Sequence, residues 1–145
     1  MTTIIRKLIG VVQVAGGFWG LFELLGRAVQ VRQPVWLVLL LAGSALFFMT
    51  LQAGIWLILG DERGVRWSRW LQLMQIPILG TPWLSYGWHA GAVAAVGFAP
   101  DGHWSFGYRV PDTTWQLYVG GPSHWFVGLD ILALVFFLLL QITRR

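Results

Sequence analysis

The feature that most constrains this chain is Val35–Leu59, 25 successive residues without a charge. A helix needs ~20 apolar residues to cross the hydrocarbon layer of a bilayer. Pro34 stands just before the run, where the first turn of a helix tolerates proline. Composition points the same way: 57% of the chain is hydrophobic and 11% is charged, against ~25% charged in an ordinary soluble domain. So few charges cannot cover a water-facing surface. The expectation is an integral membrane protein, mainly α, in one unit over its 145 residues.

Two further apolar segments are read as spans. The first covers residues 8–30 and holds Gly16 and Gly20, a GxxxG pair that lets another backbone approach closely in lipid. Arg6-Lys7 followed by apolar residues resembles the start of a signal peptide. Gln13 fills the place before Ala15 where cleavage wants a small residue, so the segment is read as a span. The short link around Val31-Arg32-Gln33 predicts a tight antiparallel hairpin of the first two helices. The last span is expected over 124–142, ahead of Arg144-Arg145.

The middle of the chain behaves differently. Over 65–76, Trp67, Trp70, Leu71 and Met74 share one helical face, while Arg66, Arg69 and Gln72 share another. Trp on one side and Arg on the other predict a helix lying in the headgroup plane. Pro77, Gly80 and Pro82 then break the helical pattern. From Leu84 the period falls to two. Ala99-Pro100-Asp101-Gly102-His103 is a turn sequence, and alternation resumes from Trp104 to Val110. A small antiparallel hairpin or meander is therefore expected over 84–119, with Gly120-Gly121-Pro122 leading to the last helix. The rival is a four-helix membrane bundle with a third span inside 70–99, where Gly87, Gly91 and Ala95 also form a small-residue repeat.

Basic residues mark orientation. With three spans, Arg6, Lys7, Arg63, Arg66, Arg69 and Arg109 fall on one side, and Arg32, Arg144 and Arg145 on the other. The count places the N-terminus and middle region in the cytoplasm, and a bacterial inner membrane is the expected setting. The four-span rival puts both termini and Arg63–Arg69 on one side, a cleaner bias. Nucleic acid is not an expected partner, because the ten Lys and Arg residues flank apolar segments and form no basic surface.

Ionisable residues inside spans are costly and so are functional candidates. Here they are Glu23, Arg27 and Asp130. Glu23 and Arg27 stand one turn apart and can neutralise each other. From a rise of ~1.5 Å per residue, Asp130 lies roughly 9 Å below the middle-region side, with Gln13 and Gln52 at ~8–10 Å and Glu23 at ~22 Å. A polar layer of Gln13, Gln52 and Asp130 is expected. Asp130 also suits the first turn of a helix, where an acid favours the dipole.

No metal or other cofactor is expected. The histidines at 89, 103 and 124 lack ligand spacing, and the chain has no cysteine. No nucleophile elbow or phosphate loop occurs. Of ten tryptophans, Trp36, Trp56, Trp67, Trp70, Trp83 and Trp125 are placed as an interfacial belt. Trp88, Trp104 and Trp115 fall in the strands, where they are expected to pack a small core. The functional expectation is a non-enzymatic membrane protein acting by assembly, as a homo-oligomer or a small subunit of a membrane complex. Its partners would be lipid and other copies or other membrane subunits. The alternative is an oligomeric pore, a small transporter or a membrane-permeabilising effector. A membrane enzyme ranks third, because no catalytic set converges.

Overall fold

A computed structural model describes residues 2–119 and 125–143, with the side chain of Thr2 outside the description. The expected turn at Gly120–Pro122, His124 and Arg144-Arg145 lie outside the described residues. The elements are α1 (Thr2–Ala28), α2 (Pro34–Leu59), α3 (Glu62–Gln75), β1 (Pro77–Gly80), β2 (Leu84–Phe98), β3 (Trp104–Val119), β4 (Phe126–Asp130) and α4 (Ile131–Ile142). Four helices thus accompany one four-stranded antiparallel sheet of order β1-β4-β2-β3.

Two helices, α1 and α2, are long and apolar enough to cross a membrane. They pack as an antiparallel hairpin through glycines. A Cβ on Gly10 would lie 2.8 Å from the carbonyl oxygen of Gly54, and one on Gly17 would lie 2.6 Å from Leu51 N. Close contact here requires residues without side chains. The hairpin leaves most of α2 uncovered: 17% of its most apolar stretch is buried inside the molecule.

The chain reverses at Gly60-Asp61, and Asp61 caps α3 by accepting from Arg63 N at 2.8 Å. Helix α3 then runs back along α2, where the expectation laid it flat across the helix ends. Gly64 meets the backbone of Leu57 and Trp56, and Leu71 joins Phe47 and Ala53 in the core. The inner face of α3 is Gly64, Val65, Ser68, Leu71, Gln72 and Gln75. Leu71 and Gln72 are therefore core residues, not members of an outer stripe. Trp67, Trp70 and Met74 remain outside.

No helix forms over 84–98. Alternation won over the small-residue repeat, and β2 pairs with β3 in a hairpin from Leu84↔Val119 to Phe98↔Trp104. The Pro-Asp-Gly turn closes it, with Gly102 at φ 87° donating to the Ala99 carbonyl at 3.0 Å. The last apolar segment also differs. Phe126–Asp130 is a strand between β1 and β2, so α4 begins at Ile131 and has 12 residues, ~18 Å. That is too short to span alone. Its direction is corrected as well. Arg6 donates to the Thr143 carbonyl and to Glu62 Oε1 at 2.9 Å. The starts of α1 and α3 and the end of α4 therefore share one end of the molecule, where the three-span reading separated the chain's two ends.

Helices α3 and α4 thus accompany one half of the α1–α2 hairpin, and the sheet accompanies the other half. One core cluster, Ile9, Leu57, Val65 and Leu140, ties α3 and α4 to the hairpin. The other joins Leu24, Phe47, Ala53 and Leu71 to Trp88 and Ala90 of β2.

Candidate functional site

Polar side chains gather at the level where the helical half meets the sheet. Gln13, Ser68, Gln75, Ser85, His89 and Asp130 are each at most 5% exposed. Ser68 Oγ donates to Gln13 Oε1 at 2.7 Å, joining α3 to α1. Gln75 Oε1 accepts the backbone N–H of Ala90 at 3.2 Å, on the edge of β2 that lies between its pairings with β1 and β4.

Asp130 is the hub. Its backbone N–H donates to the Ile76 carbonyl at 2.8 Å. Its Oδ1 accepts from Leu132 N at 2.9 Å, Ala133 N at 3.2 Å and Ala94 N at 3.2 Å. Its Oδ2 lies 3.1 Å from His89 Nδ1. A carboxylate only accepts, so in this contact His89 Nδ1 is the donor. One side chain thus caps α4, fills a gap in the β2 ladder and orients a buried imidazole. Four buried polar atoms at this level, Gln13 Nε2, Gln75 Nε2, Ser85 Oγ and Trp88 Nε1, have no hydrogen-bond partner among the described residues. Each such group costs roughly 1–3 kcal/mol if left unpaired.

The expected layer of Gln13, Gln52 and Asp130 is assembled differently. Gln13 pairs with Ser68, Asp130 pairs with His89, and half-buried Gln52 is hydrogen-bonded to neither among the described residues. Glu23 accepts from Arg27 at 2.5 Å and, through its other oxygen, from Thr113 Oγ1 of β3 at 2.7 Å. Gly16 and Gly20 do not share a partner. A Cβ on Gly16 would lie 2.2 Å from Gly91 N of β2, while one on Gly20 would lie 2.3 Å from the Phe47 ring. Gly91 adopts φ 105°, beside the irregularity in the β2–β3 pairing. An irregularity of this kind bends a strand, and it falls where β2 meets Val12 and Gly16 of α1.

Reading the sequence missed His89, Ser68, Gln75 and Thr113. His89 had a usable signal, since it stands at an odd position of an alternating strand beside apolar neighbours. The three tryptophans of the hairpin separate. Trp88 is fully buried, packing edge-on against Phe47 with ring centres 6.3 Å apart. Trp115 donates to the Leu39 carbonyl at 2.8 Å, and Trp104 is exposed. Burial pushes the Tyr86 hydroxyl above its ordinary pKa of 10.0, and this group donates to the Met74 carbonyl at 2.5 Å. Asp101 is occupied by its turn, accepting from His103 N at 3.2 Å.

The far half of the hairpin is exposed on both faces from Trp104 to Pro111. Cross-strand partners share a face, so Phe98 with Trp104, Val96 with Phe106 and Ala94 with Tyr108 form one apolar surface. Leu129 and Val127 of β4 extend it opposite Val96 and Phe98. Strand β3 closes the sheet order, so its outer edge has no strand partner among the described residues. No family model, no curated protein and no solved structure matches this chain.

Proposed function

We propose that the chain is a non-enzymatic integral membrane protein that acts by assembly, as a homo-oligomer or as a small subunit of a membrane complex. The observation that carries this reading is the open edge of β3 beside two apolar helices. Trp115 of β3 meets Gly43, and Thr113 meets Glu23, so this part of the strand lies against the hairpin's flank. Lipid offers no hydrogen bonds to a sheet edge, and open edges do not occur facing hydrocarbon. A second β3 in antiparallel pairing would satisfy the edge and cover Trp104, Phe106, Tyr108 and Val110, each 68–75% exposed. The setting proposed is a bacterial inner membrane, with the end that bears Arg6, Lys7 and Arg63 in the cytoplasm.

Native mass measurement in nanodiscs tests this, together with disulfide crosslinking of Phe106→Cys and Tyr108→Cys variants. Expected are two or more chains per particle and a crosslink between copies at these positions. A monomer that also forms no crosslink to another subunit in native membranes overturns assembly. The alternative of a pore, transporter or permeabilising effector draws on the unpaired polar atoms of the buried layer. Liposomes would then conduct ions, and Gln13→Leu would stop them. The side chains of the layer are each at most 5% exposed, which favours assembly.

A further inference from the structure

The outer groove between α3 and α4 encloses about 430 Å³ and is lined by Glu62, Val65, Arg66, Arg69, Trp70, Leu73 and Phe137. Its chemistry is graded along α3. Glu62, Arg66, Arg69 and Leu73 follow at i, i+4, i+7 and i+11, one helical stripe. Glu62 and Arg66 sit toward the end of the molecule that holds Arg6; along the helix Arg69 lies ~5 Å and Leu73 ~10 Å deeper than Arg66, and Arg69 reaches over Phe137.

The two arginines are poorly used by the protein itself. Among the described residues neither Arg66 nor Arg69 has a carboxylate within 4.0 Å. The buried Nε of Arg69 has no hydrogen-bond partner among the described residues, and its guanidinium lies over Phe137, 5.8 Å from the ring centre. Glu62 is the one acid lining the groove among the described residues, and Arg6 already holds it. Arg66 and Arg69 stand at i, i+3 on one helix face, where like charges repel, and both line the groove, so an anion bound there would relieve the repulsion. Trp70, 61% exposed, is the residue type that favours the boundary between headgroup and acyl chain.

We infer that this groove binds the phosphodiester headgroup of an anionic phospholipid, with Arg66 and Arg69 on the phosphate and an acyl chain along Trp70, Leu73 and Phe137. The inference rests on the membrane reading above. The polarity of the groove runs from charged to apolar in the direction in which a phospholipid of the same leaflet runs. A soluble anion would use only its upper half.

The test is lipid retention by native mass spectrometry from nanodiscs of equal phosphatidylglycerol and phosphatidylcholine. The wild type should keep phosphatidylglycerol over phosphatidylcholine by about thirtyfold, as two basic contacts with an anionic lipid imply. Arg66→Gln with Arg69→Gln should bring the ratio to near unity. Arg63→Gln should leave it unchanged, because Arg63 faces Asp61 and lines no part of the groove. A ratio near unity in the wild type, or one unaltered in the double variant, overturns the site. Displacement by inorganic phosphate overturns the lipid and leaves a free-anion site. If the double variant fails to fold, p-benzoylphenylalanine at position 73 of the otherwise unaltered chain decides. Photo-adducts should be mostly phosphatidylglycerol, and equal adducts overturn the proposal. An alkaline wash of vesicles separates the two levels: protein that washes off overturns the membrane reading with the site, and protein that stays but shows no lipid preference overturns the site alone.

Discussion

Asp130 combines functions that most buried acids divide among several residues. Its carboxylate takes three backbone N–H groups and one imidazole, so removing it leaves several buried groups without partners at once. Asp130→Ala is expected to cost roughly 3–5 kcal/mol, the range for breaking a buried pair on one side. Asn is also a good helix cap, so Asp130→Asn should lose roughly 1–2 kcal/mol, mostly at His89. Denaturant unfolding in detergent measures both, and equal losses would mean that the cap carries nothing. Tyr86 gives a second test, through pH. Its folded-state pKa stands above the unfolded value of 10.0 because burial disfavours the phenolate. The contribution is therefore fully present below pH 10.0 and is lost as pH rises through the folded value, since the unfolded chain releases its proton first. The melting temperature should fall between neutral and strongly alkaline pH, and Tyr86→Phe should flatten that part of the fall. A wild-type slope retained in the variant would assign it to other groups.

Among the elements, the two long helices and the hairpin were legible, and the ends of the last apolar segment were not. Uncharged length marks Val35–Leu59 whatever surrounds it. Alternation and Pro100-Asp101-Gly102 mark β2 and β3 by purely local rules. Phe126–Leu129 has neither signal, since a short apolar run reads equally as strand or helix. What decides it is pairing with β1 and β2, some 30 to 50 residues away along the chain. The buried site was hidden for the same reason. His89 and Asp130 are 41 residues apart, and no spacing rule links a strand residue to the cap of a later helix. The small-residue pattern was visible in α1, but its partners were not. Gly16 turns to a strand backbone, and the close helix contact falls on Gly10, Gly17 and Gly54. This makes an ordering expected at the element scale. A methyl at Gly16 meets backbone atoms of Ala90 and Gly91, which cannot rotate away, whereas one at Gly20 meets the Phe47 ring. Gly16→Ala should cost about 2–3 kcal/mol and loosen β2 from α1, while Gly20→Ala should cost about 1 kcal/mol, within the range of overpacked cores. Hydrogen exchange of the β2 amides distinguishes them: faster exchange is expected in Gly16→Ala alone.

At the scale of the whole molecule, the fold reconciles two charge distributions that pointed in different directions. A three-helix count left basic residues on both sides. A four-helix count gathered them on one side but required a helix where a strand stands. The structure gathers them by another route: α3 and α4 enter from one end and return to it, as the contacts of Arg6 with Glu62 and Thr143 require. Arg6, Lys7, Arg63 and Thr143 then share one end, and Arg27 and Arg32 occupy the other. Basic residues near span ends hold to the cytoplasmic side, so an insertion with two crossings, both by the α1–α2 hairpin, is expected. Single cysteines at Thr3, Arg63 and Arg32 test it in spheroplasts with a membrane-impermeant maleimide. Arg32→Cys should react from outside, while Thr3→Cys and Arg63→Cys should react only after permeabilisation. Labelling of all three from one side would show that the hairpin does not cross. Labelling of Thr3→Cys and Arg63→Cys from opposite sides would break the shared end on which the whole architecture depends.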